Sequence, residues 1–88
     1  MKIWVKIIKD EKVYKSAVYE TENLSTFSGI TQAFMEGAEA LKLPTPVITR
    51  TKAQTFFDFN TVRFRPDDFV ESVDLEMLEY EICKNQHQ

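Results

Sequence analysis

Two apolar-rich runs, each broken by lysines, fill most of the first twenty residues on either side of a polar tetrad. "KIWVKII" (Lys2 to Ile8) and "KVYKSAVYET" (Lys12 to Thr21) are rich in β-branched and aromatic residues, the composition of strands. The polar tetrad Lys9-Asp10-Glu11-Lys12 between them predicts a hairpin. Pairing Lys9 with Lys12 sets a register in which residue i faces residue 21−i. That register collects Ile3, Val5, Ile7, Tyr14, Ser16 and Val18 on one face, expected to be the core side. Lys2, Trp4, Lys6, Ile8, Val13, Lys15, Ala17 and Tyr19 fall on the other, a mixed and partly wet face.

The period then changes. In "ENLSTFSGITQAFMEGAEALKLP", Phe27, Ile30, Phe34, Ala38 and Leu41 recur at spacings of three and four, an apolar stripe along one helix. Ser25 is the expected N-cap, with Asn23 and Thr26 as alternatives. Pro44 ends the helix by forcing Leu43 out of helical geometry. Gly29 and Gly37 weaken the helix but would let it lie close to a sheet.

The rest reads as short pieces. "PTPVITRT" predicts a strand near Val47 to Thr51 with prolines at its entrance. In "KAQTFFDFN", Phe56, Phe57 and Phe59 do not alternate, so helix and strand stay open. "TVRF" predicts a brief strand and "RPDDF" a turn. "ESVDLEMLEYEIC" predicts a strand through Leu78, Tyr80 and Ile82, with a break near Met77–Leu78 and a helix as the alternative. "KNQHQ" is expected to be a disordered tail over 84–88. The expectation is one α+β domain over 1–83: an N-terminal hairpin, one main helix and three short strands, a ββαβββ-like two-layer sandwich.

Composition fits such a domain. Of 88 residues, 43% are hydrophobic and seven are Phe, far from a disordered composition. A chain this short buries only about 60–65% of the surface it exposes when unfolded. Cys83 is the only cysteine, which excludes an intramolecular disulfide and any multi-cysteine metal site. Lysines interrupt the apolar run at the N-terminus, and no stretch approaches the roughly 20 apolar residues of a membrane span. A cytoplasmic protein without cofactor, metal, membrane or evident small-molecule ligand is expected.

The net charge of −3 is unevenly placed: residues 1–20 carry +2, residues 43–65 carry +3, and residues 66–88 carry −6. The acidic run contains Asp67, Asp68 and Glu71, which could offer oxygen ligands to Ca²⁺ or Mg²⁺, but it lacks the spacing and glycine of a calcium loop. The simpler reading is a half-buried strand whose outer face carries Glu79 and Glu81, with Arg63 and Arg65 pairing against the acids. The only histidine, His87, lies in the tail, and Cys83 at the end of an apolar strand reads as a small buried hydrophobe. No catalytic residue is assigned, and the chain is expected not to be an enzyme.

Trp4, Lys6, Lys15 and Tyr19 form the candidate binding patch on the mixed hairpin face. Aromatics interleaved with lysines on an open sheet can stack and neutralise single-stranded nucleic acid. An acidic chain disfavours that use. An apolar patch built on Trp4, Ile8, Val13, Ala17 and Tyr19 needs a protein partner, either another chain or a second copy in a homodimer.

"TVRFRPDDFVESVDLEMLEYEI", with "KIWVKIIKDEKV" and "PTPVIT", resembles a family of small uncharacterised proteins of Firmicutes-type bacteria with no assigned activity. The shared pattern falls on Phe69, Glu71, Val73, Asp74, Leu78, Glu79 and Glu81. The resemblance implies a cytoplasmic bacterial domain that ends on a strand, and no function.

Overall fold

The computed structural model describes residues 1–83, so the expected tail over 84–88 lies outside the described residues. The domain is α+β, a four-stranded antiparallel sheet with two helices on one face. The elements are β1 (Lys2–Lys9), β2 (Lys12–Glu20), α1 (Phe27–Ala40), α2 (Arg50–Phe59), β3 (Thr61–Phe64) and β4 (Met77–Cys83). The sheet order is β2-β1-β4-β3, so the last strand lies between the first and the shortest.

The hairpin turns on Asp10 and Glu11, both in the left-handed region (φ 54° and 63°), which is the geometry of a type I′ turn. The expected register holds only next to this turn, for Lys9–Lys12 and Ile8–Val13. A bulge then adds one residue to β2, and from Ile7–Lys15 to Lys2–Glu20 residue i faces residue 22−i. The slip reverses every β2 side chain beyond the bulge. Tyr14, Ser16 and Val18, expected in the core, are exposed, while Ala17 and Tyr19 turn toward the helices.

The physical reason for the bulge lies in α1. The Tyr19 hydroxyl donates to the Ala33 carbonyl at 2.6 Å, and the Tyr80 hydroxyl donates to the Phe34 carbonyl at 2.8 Å. Two strands that flank β1 thus grip two successive carbonyls of one helix. Gly37 makes room for them: a Cβ there would sit 2.5 Å from the Tyr19 hydroxyl and 2.7 Å from the Tyr80 ring. Gly29 has a different role, because its missing side chain leaves space for the backbone carbonyl of Asn23 rather than for the sheet.

Thr26 caps α1, its Oγ1 accepting from the Gly29 amide at 3.0 Å. The stripe is buried at Ile30, Phe34, Ala38 and Leu41, but Phe27 stays exposed, with Arg50 over its ring. Phe34 is the centre of the core, meeting Phe56 edge-on at 5.0 Å, Phe64 edge-on at 5.6 Å and Tyr80 at 4.4 Å.

The strand expected near Val47 to Thr51 does not form. Val47 makes a single backbone bond, to Asp68 at 2.7 Å. Thr49 then caps α2, its Oγ1 accepting from the Lys52 amide, and Ala53 and Phe56 face the core from that helix. A helix also accounts for the phenylalanines that do not alternate: Phe56 is buried while Phe57 and Phe59 point outward. The turn over "RPDDF" and the strands over "TVRF" and "LEYEIC" form where expected, with β4 starting at the anticipated break.

Adding one methyl at the grip should be costly. Gly37→Ala gains about 1 kcal/mol of helix propensity. We nevertheless expect it to lower stability by a net 1–3 kcal/mol or so, since the Tyr19 hydroxyl must leave its carbonyl. Urea unfolding with an unchanged m-value measures this; a variant as stable as the parent would refute the close approach.

Candidate functional site

Both helices cover one face of the sheet, and among the described residues no element packs on the other. Its rows run across all four strands. One row is Val18, Trp4, Glu81 and Thr61; the next is Ser16, Lys6, Glu79 and Arg63. The topology therefore sets the acidic last strand between the basic first strand and Arg63, and the uneven charge of the sequence cancels in space.

Lys6 is the centre of this arrangement. It is only 7% exposed although it lies on the uncovered face. Its Nζ donates to Glu81 Oε1 at 2.9 Å, stands 3.7 Å from Glu79 Oε1 and sits 3.9 Å from the centre of the Trp4 ring. Glu79 also meets Arg63 Nε at 3.7 Å and accepts from Thr61 Oγ1 at 3.4 Å. A lysine this enclosed needs its counter-ions, because removing one partner leaves the other charged and desolvated. The cross-strand pairing thereby helps to hold β4 in register against β1.

Around this neutralised centre the surface is apolar. Trp4 is 36% exposed and Val18 57%, and Val13, paired with Ile8, is half exposed. At one end Phe59, 70% exposed, shares a shallow hollow with Trp4, Thr61, Glu81 and the half-buried Cys83. Cys83 is thus not the core residue its position in an apolar strand suggested.

The four candidate patch residues do not share a face. Trp4 and Lys6 lie together on the open face. Tyr19 lies on the helix side, its hydroxyl used by Ala33. Lys15 pairs across from Ile7, on the helix side of the sheet edge, and is exposed. The bulge separates the pairs. Sequence reading missed Glu79 and Glu81 as the counter-ions of Lys6; the signal was the matching alternation of lysines in the first strand and glutamates in the last.

The acids of the C-terminal run part company. Asp68 accepts from the Arg65 amide at 2.9 Å and lies 3.7 Å from Lys52. Asp74 takes Lys9 at 3.0 Å, a hydrogen bond that raises the lysine pKa. Glu76 accepts from the Glu11 amide. Among the described residues no three such side chains converge to hold a metal ion.

Comparison of the chain with family models, with curated proteins and with solved structures returned no match.

Burial pushes the Tyr19 hydroxyl well above the ordinary tyrosine range, with the Glu36 carboxylate adding to it. Burial does the same for Tyr80, and the Tyr19 hydroxyl adds to it. A raised folded-state pKa keeps these protons on the native state after the unfolded chain has lost them. The stability they contribute is complete below the unfolded value of about 10 and is lost as pH rises beyond it. The slope of stability against alkaline pH should fall by about one proton in each of Tyr19→Phe and Tyr80→Phe. Denaturant titrations from neutral to alkaline pH measure it, and a slope unchanged in both variants would refute the buried-hydroxyl geometry.

Proposed function

We propose that this chain is a small non-catalytic protein-interaction domain of the bacterial cytoplasm, binding its partner through the open face of the sheet. The observation that carries the reading is the combination at Trp4 and Lys6. The face exposes apolar side chains around a cation already neutralised by Glu79 and Glu81. Such a surface offers a partner exposed aromatic area with little net charge, the make-up of an interface centre. A lone cysteine accords with a reducing compartment. Among the described residues no helix is long and apolar enough to cross a membrane. The resemblance to small bacterial proteins accords with the same setting.

Single-stranded nucleic acid is the competing ligand. It is served less well: Tyr19 is turned away and Lys6 is committed to carboxylates, so the interleaving of aromatic and free cation is broken.

Capture from the native host, with nuclease and with Trp4→Ala as the control, tests the proposal. We expect a stoichiometric protein that survives nuclease and is lost with Trp4→Ala, a truncation costing about 2 kcal/mol or more at an interface centre. Trp4 fluorescence that changes with an oligonucleotide, and recovers as salt rises, would overturn the proposal in favour of nucleic acid. Partners retained in full by a folded Trp4→Ala chain would remove the open face from the account.

A further inference from the structure

A second hollow runs along the β3 edge of the sheet, between that strand and α2. Its volume is about 460 Å³, and Thr51, Thr55, Phe59, Arg63, Arg65 and Met77 line it. It meets the open face at Phe59 and Thr61, which also border the Trp4 hollow. The lining holds three cations, Lys52, Arg63 and Arg65, and no acid.

The three cations are not equivalent. The Ile82 amide donates to the Asn60 carbonyl, so by alternation Thr61 and Arg63 turn their backbone groups to the open edge. Lys52 Nζ donates to that Arg63 carbonyl at 2.7 Å and lies 3.7 Å from Asp68. Lys52 is therefore committed, and it shuts the edge at Arg63 against an added strand. The arginines are freer. The Arg63 side chain is 63% exposed, and the carboxylate it meets, Glu79, stands at 3.7 Å, beyond hydrogen-bond length, and is shared with Lys6. Arg65 is exposed and forms no ion pair among the described residues. The backbone stays extended at Arg65 (φ −104°, ψ 169°), so the two guanidinium groups rise from alternate positions of one run, about 7 Å apart.

We infer that this hollow takes a short acidic segment of a partner protein, held by its side chains. Carboxylates at alternate positions of an extended run match the spacing, one reaching Arg63 and the next Arg65. The inference rests on reading the chain as a protein-interaction domain, and it names the chemistry of the partner. Guanidinium groups suit it because each takes a carboxylate in a two-point grip. Phe59, 70% exposed, and Met77 offer apolar contact alongside. Nucleic acid fits the hollow less well. A polyanion follows a longer basic track, and just past Arg65 the chain turns acidic at Asp67, Asp68 and Glu71.

Fluorescence anisotropy with the full chain tests this. The probe is a labelled octapeptide of alternating glutamate and threonine, compared with its lysine–threonine counterpart and with an oligothymidylate of the same length. The acidic peptide should bind and the basic one should not. R63Q/R65Q should weaken that binding at least about tenfold. R65Q, which removes no ion pair found among the described residues, should show part of the same loss and keeps the test open if the double variant does not fold. Thermal melts check the fold of both. An acidic peptide that does not bind at millimolar concentration would overturn the inference, as would binding unchanged in both variants. Tighter binding of the oligothymidylate, lost in the same variants, would overturn it in favour of nucleic acid. If the acidic peptide fails while partner capture still depends on Trp4, the hollow fails and the open face stands. If the peptide depends on the arginines while Trp4→Ala keeps every partner, the hollow stands and the open face fails.

Discussion

Two tyrosine hydroxyls entering one helix set the shape of this molecule. Tyr19 and Tyr80 reach up from β2 and β4 on either side of β1 and donate to the Ala33 and Phe34 carbonyls of α1. They reach those carbonyls only because Gly37 leaves the helix surface bare at that point. A buried tyrosine must find a partner for its hydroxyl or lose a stabilising bond. Meeting that demand twice fixes how close α1 lies to the sheet. It also selects the parity of β2, and hence requires the bulge that interrupts the hairpin. With α1 held there, Phe34 gathers Phe56, Phe64 and Tyr80 around it, and α2 closes the same face.

The other face follows from the same arrangement. A single layer of helices on one side leaves the opposite side of the sheet to solvent, as antiparallel sheets permit. What stands there is neither a plain solvated surface nor a basic one. Lys6 is enclosed by Trp4, Glu79 and Glu81, and the strand order puts each charge beside its complement. The result is an aromatic and aliphatic surface around a neutral polar centre. The proposal of a protein-binding face rests on that juxtaposition.

Much of this was legible in the chain. The existence of the hairpin, of α1 and of β3 was legible in their composition and spacing, β4 was expected with a helix as the alternative, and the capping and turn residues sit close to where they are needed. Trp4 and Lys6 fall on the outer face because β1 alternates without interruption. Two features were not legible, for different reasons. In β2, Tyr14-Ser16-Val18 and Ala17-Tyr19 are both plausible inward sets, and the choice is made by a hydroxyl meeting a carbonyl fourteen residues away, which local pattern does not contain. That choice moved Tyr19 and Lys15 off the candidate patch. Before α2, two prolines and the β-branched Val47, Ile48 and Thr49 read as strand, yet Thr49 serves as a helix cap. The charge network was readable only in part, since the partners of Lys6 lie more than seventy residues away and are brought to it by the strand order.

The central claim is that the outer face of the sheet is open in the free chain and is where a partner lands. Trp4 is the only tryptophan, so its fluorescence reports that face alone. The most direct measurement is acrylamide quenching of Trp4 in the free chain, followed on adding the captured partner. The account predicts a quenchable, solvent-facing indole in the free chain, and protection once the partner binds. A blue-shifted, quencher-resistant Trp4 in the free chain would show that the face is already closed and would contradict the account.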